Sequence, residues 1–189
     1  MKTLQQHIDE KLVINKDFKN DTIFVYKKDY EGPIKVFDPD WPDLKNFADK
    51  VYIGDRQIEI SHFGFTKEEF EPGMYEFEIK DLDKLTDCHW MFYGSDIYSV
   101  PWFDISKVKN MNGMFNSCSK LKIVPKFEVD SAKDMEYMFA HCRELKEVPF
   151  FNVPETASIY AMFKKTILNK TSANKWAEIY DFVTYKDKR

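Results

Sequence analysis

Two adjacent cysteine–histidine pairs are the residues of this chain best suited to chemistry. Cys88-His89 and His141-Cys142 would offer thiolate and imidazole ligands, the set that zinc takes in structural sites. The spacing between the two pairs matches no standard zinc finger. Cys142 also shares a column with Cys118 in the sequence repeat described below, where a small, soft side chain packs in a core. Structural packing therefore explains these cysteines, and we expect no metal and no cofactor.

Other residues that could catalyse a reaction are not arranged in a known motif. The sequence contains no G-x-S-x-G, Walker A, G-x-G-x-x-G, H-E-x-x-H or EF-hand pattern. Paired carboxylates stand at Glu68-Glu69, which we interpret as a helix start after Thr66. A second pair, Glu76 and Glu78, is predicted on the solvent-exposed face of a strand. The sequence thus predicts a protein that is not an enzyme.

The composition is that of a globular protein. The 189 residues are 43% hydrophobic, 32% charged and 16% aromatic, enough for one domain or a small pair with a shared core. A net charge of -4 gives no basic field, so we expect no direct contact with nucleic acid. No apolar run reaches the length of a membrane span, and the first residues lack a signal-peptide pattern. We expect a cytoplasmic protein.

An internal repeat dominates the second half of the chain. Val-Pro pairs recur every 24 residues, at positions 100, 124 and 148. Met-Phe pairs recur in phase with them at spacings of 23, 24 and 24 residues: Met91-Phe92, Met114-Phe115, Met138-Phe139 and Met162-Phe163. Two markers in phase indicate a repeat architecture, in which each unit buries its apolar side against the next.

The pattern within one unit predicts its secondary structure. Met111, Met114, Phe115 and Cys118 stand at i, i+3, i+4 and i+7, the spacing of one helix face. The apolar stretch 121–124 then predicts a short strand that ends at a proline. We therefore predict the α/β fold class: a leucine-rich-repeat-like β/α solenoid of three to four rungs, with the Met-Phe phenylalanines stacked as a ladder.

The remaining segments would close the two ends of this solenoid. Residues 1–80 predict an N-terminal α+β cap, with a first helix near Leu4, a hairpin over 51–60 and an alternating strand over 74–80. Residues 81–166 form the predicted solenoid. Residues 167–189 predict a C-terminal capping helix, over 172–183, and a charged tail.

One unit resembles a known repeat. The segment from Phe103 to Leu121, FDISKVKNMNGMFNSCSKL, is similar to the F-D-T-S-x-V-x-N-M-x-x-M-F-x-x-C-x-x-L unit of the BspA-type leucine-rich-repeat surface proteins. The next unit, from Phe127 to Leu145, keeps the methionine, phenylalanine, cysteine and leucine positions. This resemblance implies protein binding or adhesion. Without a signal peptide, the chain looks more like the short intracellular versions from bacteria and their phages.

Exposed columns of the repeat are the candidate binding surface. One column contains Tyr98, Lys122 and Lys146, and another contains Trp102, Lys126 and Phe150, all on or beside the predicted strands. A second candidate is a proline-rich acidic loop with Asp38, Asp40, Trp41 and Asp43. The competing interpretation buries Trp102 and Phe150 between rungs and folds Trp41 into the core.

These observations lead to two functional hypotheses. The first is a non-catalytic protein–protein interaction module that binds a partner protein through the solenoid face and adjoining loops; neither the partner nor the oligomeric state follows from the sequence. The alternative is an inhibitor encoded by a phage or mobile element, acting on a host defence or nucleic-acid enzyme. It would use the acidic N-terminal region, since residues 1–81 hold 18 acidic against 12 basic side chains.

Overall fold

The regular secondary structure is a single antiparallel sheet. The computed structural model describes residues 23–167. Its elements, in chain order, are β1 (Ile23–Lys28), α1 (Leu44–Phe47), β2 (Val51–Ile53), β3 (Arg56–Gln57), β4 (Gly73–Ile79), a 3-10 turn (Leu82–Lys84) and β5 (Ile97–Ser99). The five strands are ordered β3-β2-β4-β1-β5, and neighbouring strands are antiparallel.

Alternation of side chains explains the two longest strands. Phe24 pairs with Phe77 between β1 and β4, and Tyr26 packs on Phe77 with ring centroids 5.0 Å apart. All three side chains are fully buried, as is Ile79 two residues further along β4. The hairpin predicted over 51–60 is present as β2 and β3, with Gly54 at the turn in the left-handed region (φ 57°).

The repeat contains no helix, so the predicted α/β solenoid is wrong. In residues 23–167, helix is limited to the single turn of α1 and the 3-10 turn, and the segment after Thr66 is not helical either. Two residues in every repeat unit have a left-handed backbone, with φ between 51° and 63°: Trp90 and Gly94, Gly113 and Ser117, Tyr137 and His141, Ala161 and Lys165. Two left-handed residues four positions apart interrupt an α-helix and turn each Met-Phe segment into consecutive tight turns.

Hydrogen bonds between units explain why the turns are preferred to a helix. Alternate amides donate to the next unit, as from Gly113 to the Glu136 carbonyl (2.8 Å) and from Phe115 to the Met138 carbonyl (2.9 Å). The amide of Met114, between them, donates to Met111 within its own turn (3.2 Å). A helix would direct all of these donors along its own axis, so the spacing of the apolar residues reflects stacked turns.

The strand predicted over 121–124 is present only as a single bridge residue. Ile123 makes one isolated parallel bridge with Ser99, and two further bridges join Asn110 to Asp134 and Asp134 to Ser158. The predicted first helix and C-terminal capping helix lie outside the described residues. No helix within 23–167 is long and apolar enough to cross a membrane.

Stacked phenylalanines form the centre of the repeat, as the sequence predicted. The rings of Phe92, Phe115, Phe139 and Phe163 follow one another with centroids 5.4, 5.6 and 5.7 Å apart and planes within 3 to 7° of parallel. Phe24 of β1 contacts Phe92 at 5.4 Å. The sheet and the repeat therefore share one continuous core.

Candidate functional site

The three cysteines lie in the core and, within residues 23–167, form no metal-binding cluster with histidines. The Cys118 thiol donates to the Phe92 carbonyl (2.9 Å), and the Cys142 thiol donates to the Phe115 carbonyl (3.0 Å). Burial raises the pKa of Cys118 to about 12 and that of Cys142 well above its usual range. Cys88 is also fully buried, and burial raises its pKa strongly.

These thiols are poorly suited to chemistry, because the thiolate is both the nucleophile and the metal ligand. Across residues 23–167, no three side chains of the His, Cys, Asp and Glu types are grouped to hold a metal ion. What the arrangement supports is packing: the Cys118 and Cys142 thiols each donate to a carbonyl of the preceding repeat unit.

An open cleft on the repeat is the strongest candidate for a binding site. Its volume is about 450 Å³, and its walls combine aromatic, amide and acidic side chains: Asp38, Asp40, Trp90, Tyr93, Asn112, Asn116 and Tyr137. We call it the aromatic cleft. Such a combination of ring surfaces with a few polar groups is typical of ligand and partner sites.

The cleft exists because one column of the repeat alternates in size. The left-handed position before each Met-Phe pair is held by Trp90 in the first unit, Gly113 in the second and Tyr137 in the third. Gly113 has no side chain, and the Trp90 indole occupies the space that a side chain would take. A Cβ atom on Gly113 would be 2.5 Å from Trp90 Cδ1 and 2.7 Å from Trp90 Nε1.

The loop over 38–43 closes one side of the cleft. Its backbone is fixed to the first repeat unit, because the Asp38 amide donates to the Met91 carbonyl (3.0 Å). Trp41 is only 2% exposed, and its indole Nε1 donates to the Asp87 carbonyl (2.9 Å). The loop therefore holds Asp38 and Asp40 in place beside the aromatic wall.

The charges around the cleft are unequal. The Asp38 carboxylate is buried, accepts a hydrogen bond from the Asp40 amide (3.1 Å) and forms an ion pair with Lys35 Nζ (3.0 Å). The same ammonium lies 5.5 Å from the centre of the Tyr93 ring. Asp40 is exposed, and its carboxylate has no ion-pair partner among the described residues.

The structure divides the residues of the predicted acidic loop. Asp38 and Asp40 line the aromatic cleft, whereas Trp41 belongs to the core. Asp43 lies apart from the lining, and its carboxylate accepts hydrogen bonds from Asn46 (3.2 Å) and from Thr86 (3.5 Å).

The predicted repeat columns do not contribute to the cleft. Tyr98 is buried at 3% exposure beneath Lys122, whose ammonium lies 5.1 Å from its ring and 3.4 Å from Glu144. Trp102 and Phe150 are half-buried, and Phe150 packs against the core. Lys126 and Lys146 are exposed.

Sequence reasoning missed the aromatic wall. No role is predicted from the sequence for Trp90, Tyr93 or Tyr137. The available signal was the column before the Met-Phe pairs, in which Trp90, Gly113 and Tyr137 follow one another in aligned units.

A family comparison places the repeat in a known group. A family model described as "Mycoplasma protein of unknown function, DUF285" matches residues 62–177, more than half of the chain. The chain belongs to this DUF285 family. The match includes Trp90, Tyr93 and Tyr137, while Asp38 and Asp40 precede it. The BspA-type resemblance is not confirmed by it, and no curated protein and no solved structure matches the chain.

Proposed function

We propose that this chain is a non-catalytic protein-binding module, acting in the cytoplasm, whose binding surface is the aromatic cleft. The observation that supports this most is the set of three aromatic side chains, Trp90, Tyr93 and Tyr137, that line one recess, in which the Trp90 indole lies across Gly113. Partly exposed tryptophan and tyrosine beside a recess are typical anchors of protein interfaces. The proposal includes no chemical step, in keeping with the buried, protonated thiols.

The placement of the anchors favours a rigid site. Tyr93 is 37% exposed, and its ring lies 5.8 Å from that of Trp90. The Trp90 ring also packs against the ring of the adjacent residue His89, with centroids 4.7 Å apart. A partner would therefore meet side chains that are already ordered, which lowers the entropic cost of binding.

The alternative, an inhibitor that presents an acidic surface, receives less support. Its predicted loop offers few free carboxylates, since Asp38 is buried against Lys35 and Asp43 is engaged by Asn46 and Thr86. Elsewhere in the acidic N-terminal region, carboxylates such as Glu31, Asp55 and Glu71 are exposed. Of the three predicted carboxylates, Asp40 alone is exposed.

Site-specific photo-crosslinking tests the proposal. Benzoylphenylalanine at Tyr93 replaces one aromatic side chain with another inside the cleft, and the same residue at Tyr30, which is 76% exposed outside it, is the matched control. In a lysate of the organism that encodes the chain, we expect a protein that crosslinks from position 93 and not from position 30.

The identified partner must then depend on the cleft. Trp90→Ala combined with Tyr137→Ala should weaken binding of the purified partner by at least about tenfold, while Tyr30→Ala should leave it unchanged. Equal crosslinking from both positions, or unchanged affinity of the double variant, would contradict the proposal.

A further inference from the structure

Deepening the proposed function, on which it rests, we propose that the aromatic cleft receives a basic side chain, lysine or arginine, of the partner protein. The first argument is charge. Two carboxylates, Asp38 and Asp40, line the cleft, and within residues 23–167 the one ammonium paired with them is that of Lys35. The site therefore keeps an excess of one negative charge at its exposed rim, where Asp40 lies.

The second argument is the aromatic wall. The face of an aromatic ring carries negative charge density and attracts ammonium and guanidinium groups. Lys35 of the chain itself already uses this attraction, with its ammonium 5.5 Å from the centre of the Tyr93 ring. Trp90 and Tyr137 line the same cleft. Their surfaces also suit the aliphatic stem of a long basic side chain.

The third argument is the fixed direction of an amide. The Asn112 side-chain Nδ2 donates to both oxygens of Asp134, at 3.1 and 3.3 Å. Its donor end is therefore occupied, and the carbonyl oxygen is what this side chain can offer to a ligand. This acceptor, beside carboxylates and ring faces, fits a donor cation. The second amide of the lining, Asn116, accepts from the Ser117 hydroxyl at its carbonyl oxygen (3.0 Å).

Small probes test this chemistry without knowledge of the partner. The blocked amino acid N-acetyl-lysine methylamide is titrated into the full-length ¹⁵N-labelled protein, and the indole N–H signal of Trp90 is followed by NMR. The arginine counterpart is titrated in parallel. Norleucine methylamide, acetylated in the same way, is the neutral control for the apolar stem. We expect saturable shifts with the basic probes and an affinity at least about fivefold lower for norleucine.

Two variants separate charge from packing. Asp40→Asn should weaken binding of the lysine probe about fivefold or more while the rest of the spectrum stays unchanged, because Asp40 is exposed. Tyr30→Ala should leave the affinity as it is. Equal binding of norleucine and lysine, no effect of Asp40→Asn, or binding of N-acetylglucosamine but not of the basic probes would overturn the inference.

The two experiments fail independently. If binding of the crosslinked partner depends on Trp90 but the lysine and norleucine probes bind equally, the protein-binding function is supported and the proposal of a basic side chain in the cleft is wrong. If no partner crosslinks from position 93 but the basic probes bind, the chemistry of the cleft stands and the proposed function is wrong.

Discussion

Gly113 is required at its position for two separate physical reasons. Its φ of 60° lies in the left-handed region, where a side chain costs about 1–2 kcal/mol. A Cβ atom there would also lie 2.5 Å from Trp90 Cδ1. The first reason alone does not require glycine, because the repeat holds tryptophan, tyrosine and alanine at the equivalent positions. The second reason is specific to this unit.

We therefore predict that Gly113→Ala lowers the free energy of unfolding by more than the left-handed backbone explains. Gly54→Ala is the matched control, since Gly54 has a φ of 57° with no atom within 4 Å of its added Cβ. In urea unfolding, the free energy of unfolding of the control should fall by about 1–2 kcal/mol. For Gly113→Ala, the free energy of unfolding should fall further, and the fluorescence of Trp90 should change because its indole must move. Equal losses for the two variants would show that Trp90 does not lie over Gly113 as described.

The turns of the repeat illustrate why its sequence pattern predicts the wrong element. Met111, Met114, Phe115 and Cys118 share one buried face, which the helical spacing identified correctly. The backbone that produces this face is set by amides bonding to the next unit, a non-local contact that local spacing does not encode. By contrast, the alternation over 74–80 depends on a single strand with one buried face, and it predicted β4.

Part of the candidate site could be predicted from local sequence, and part of it depends on contacts between units. Asp38 and Asp40 stood out because two prolines mark their loop. The aromatic wall depends on the register between units, which places Trp90, Gly113 and Tyr137 side by side. That register can be obtained from the sequence by aligning the Met-Phe pairs, but the outward direction of the column requires the left-handed backbone.

At the level of elements, Lys120 joins β1 to the repeat. Its ammonium lies 2.9 Å from Asp29, 2.8 Å from Asp96 and 2.9 Å from the Lys27 carbonyl oxygen. Burial lowers the pKa of Lys120, but its hydrogen bonds with Asp96 and Asp29 outweigh this effect and leave the pKa raised. The hydrogen bond from Lys120 is also the main cause of the lowered pKa of Asp29.

We predict that Lys120→Met lowers the free energy of unfolding by about 1–3 kcal/mol at neutral pH, because hydrogen bonds to charged groups are lost. A lowered carboxyl pKa stabilises the fold above the unfolded pKa of Asp29 and loses this effect as pH falls through the folded value. The difference from the wild type should therefore narrow near pH 3. Lys84→Met, which removes an exposed pair with Asp81, is the control and should change nothing measurable. A constant difference from pH 7 to pH 3 would contradict this role.

At the scale of the whole molecule, one core runs through both halves of the described chain. Phe24 of β1 contacts Phe92 of the repeat, and β5, which lies within the first repeat unit, pairs with the edge of β1 opposite β4. Met138 lies at the third unit of this core and is fully buried. Neighbouring units depend on one another for burial, so damage at one unit should spread along the stack.

The last prediction tests whether unfolding of one repeat unit extends to the sheet. Met138→Asp buries an unpaired charge, which costs several kcal/mol and approaches the 5–15 kcal/mol stability of an ordinary domain. We expect the protein to unfold as a whole. Lys146→Asp changes an exposed side chain of the same unit to the same residue and should leave the fold intact.

A single-tryptophan protein distinguishes global from local unfolding. Trp41 is buried beside Phe37 and Phe47, far in sequence from Met138. The chain has three other tryptophans, Trp90, Trp102 and Trp176, that can be changed to phenylalanine. In that background, Met138→Asp should shift Trp41 emission to the red and expose the indole to acrylamide. If Trp41 instead stays protected while the circular dichroism of the protein changes, the sheet, the loop of Trp41 and the first repeat unit, to which this loop is hydrogen-bonded, fold without the third unit. The shared core would then consist of two separately stable parts, and Tyr137 of the third unit could separate from the rest of the cleft.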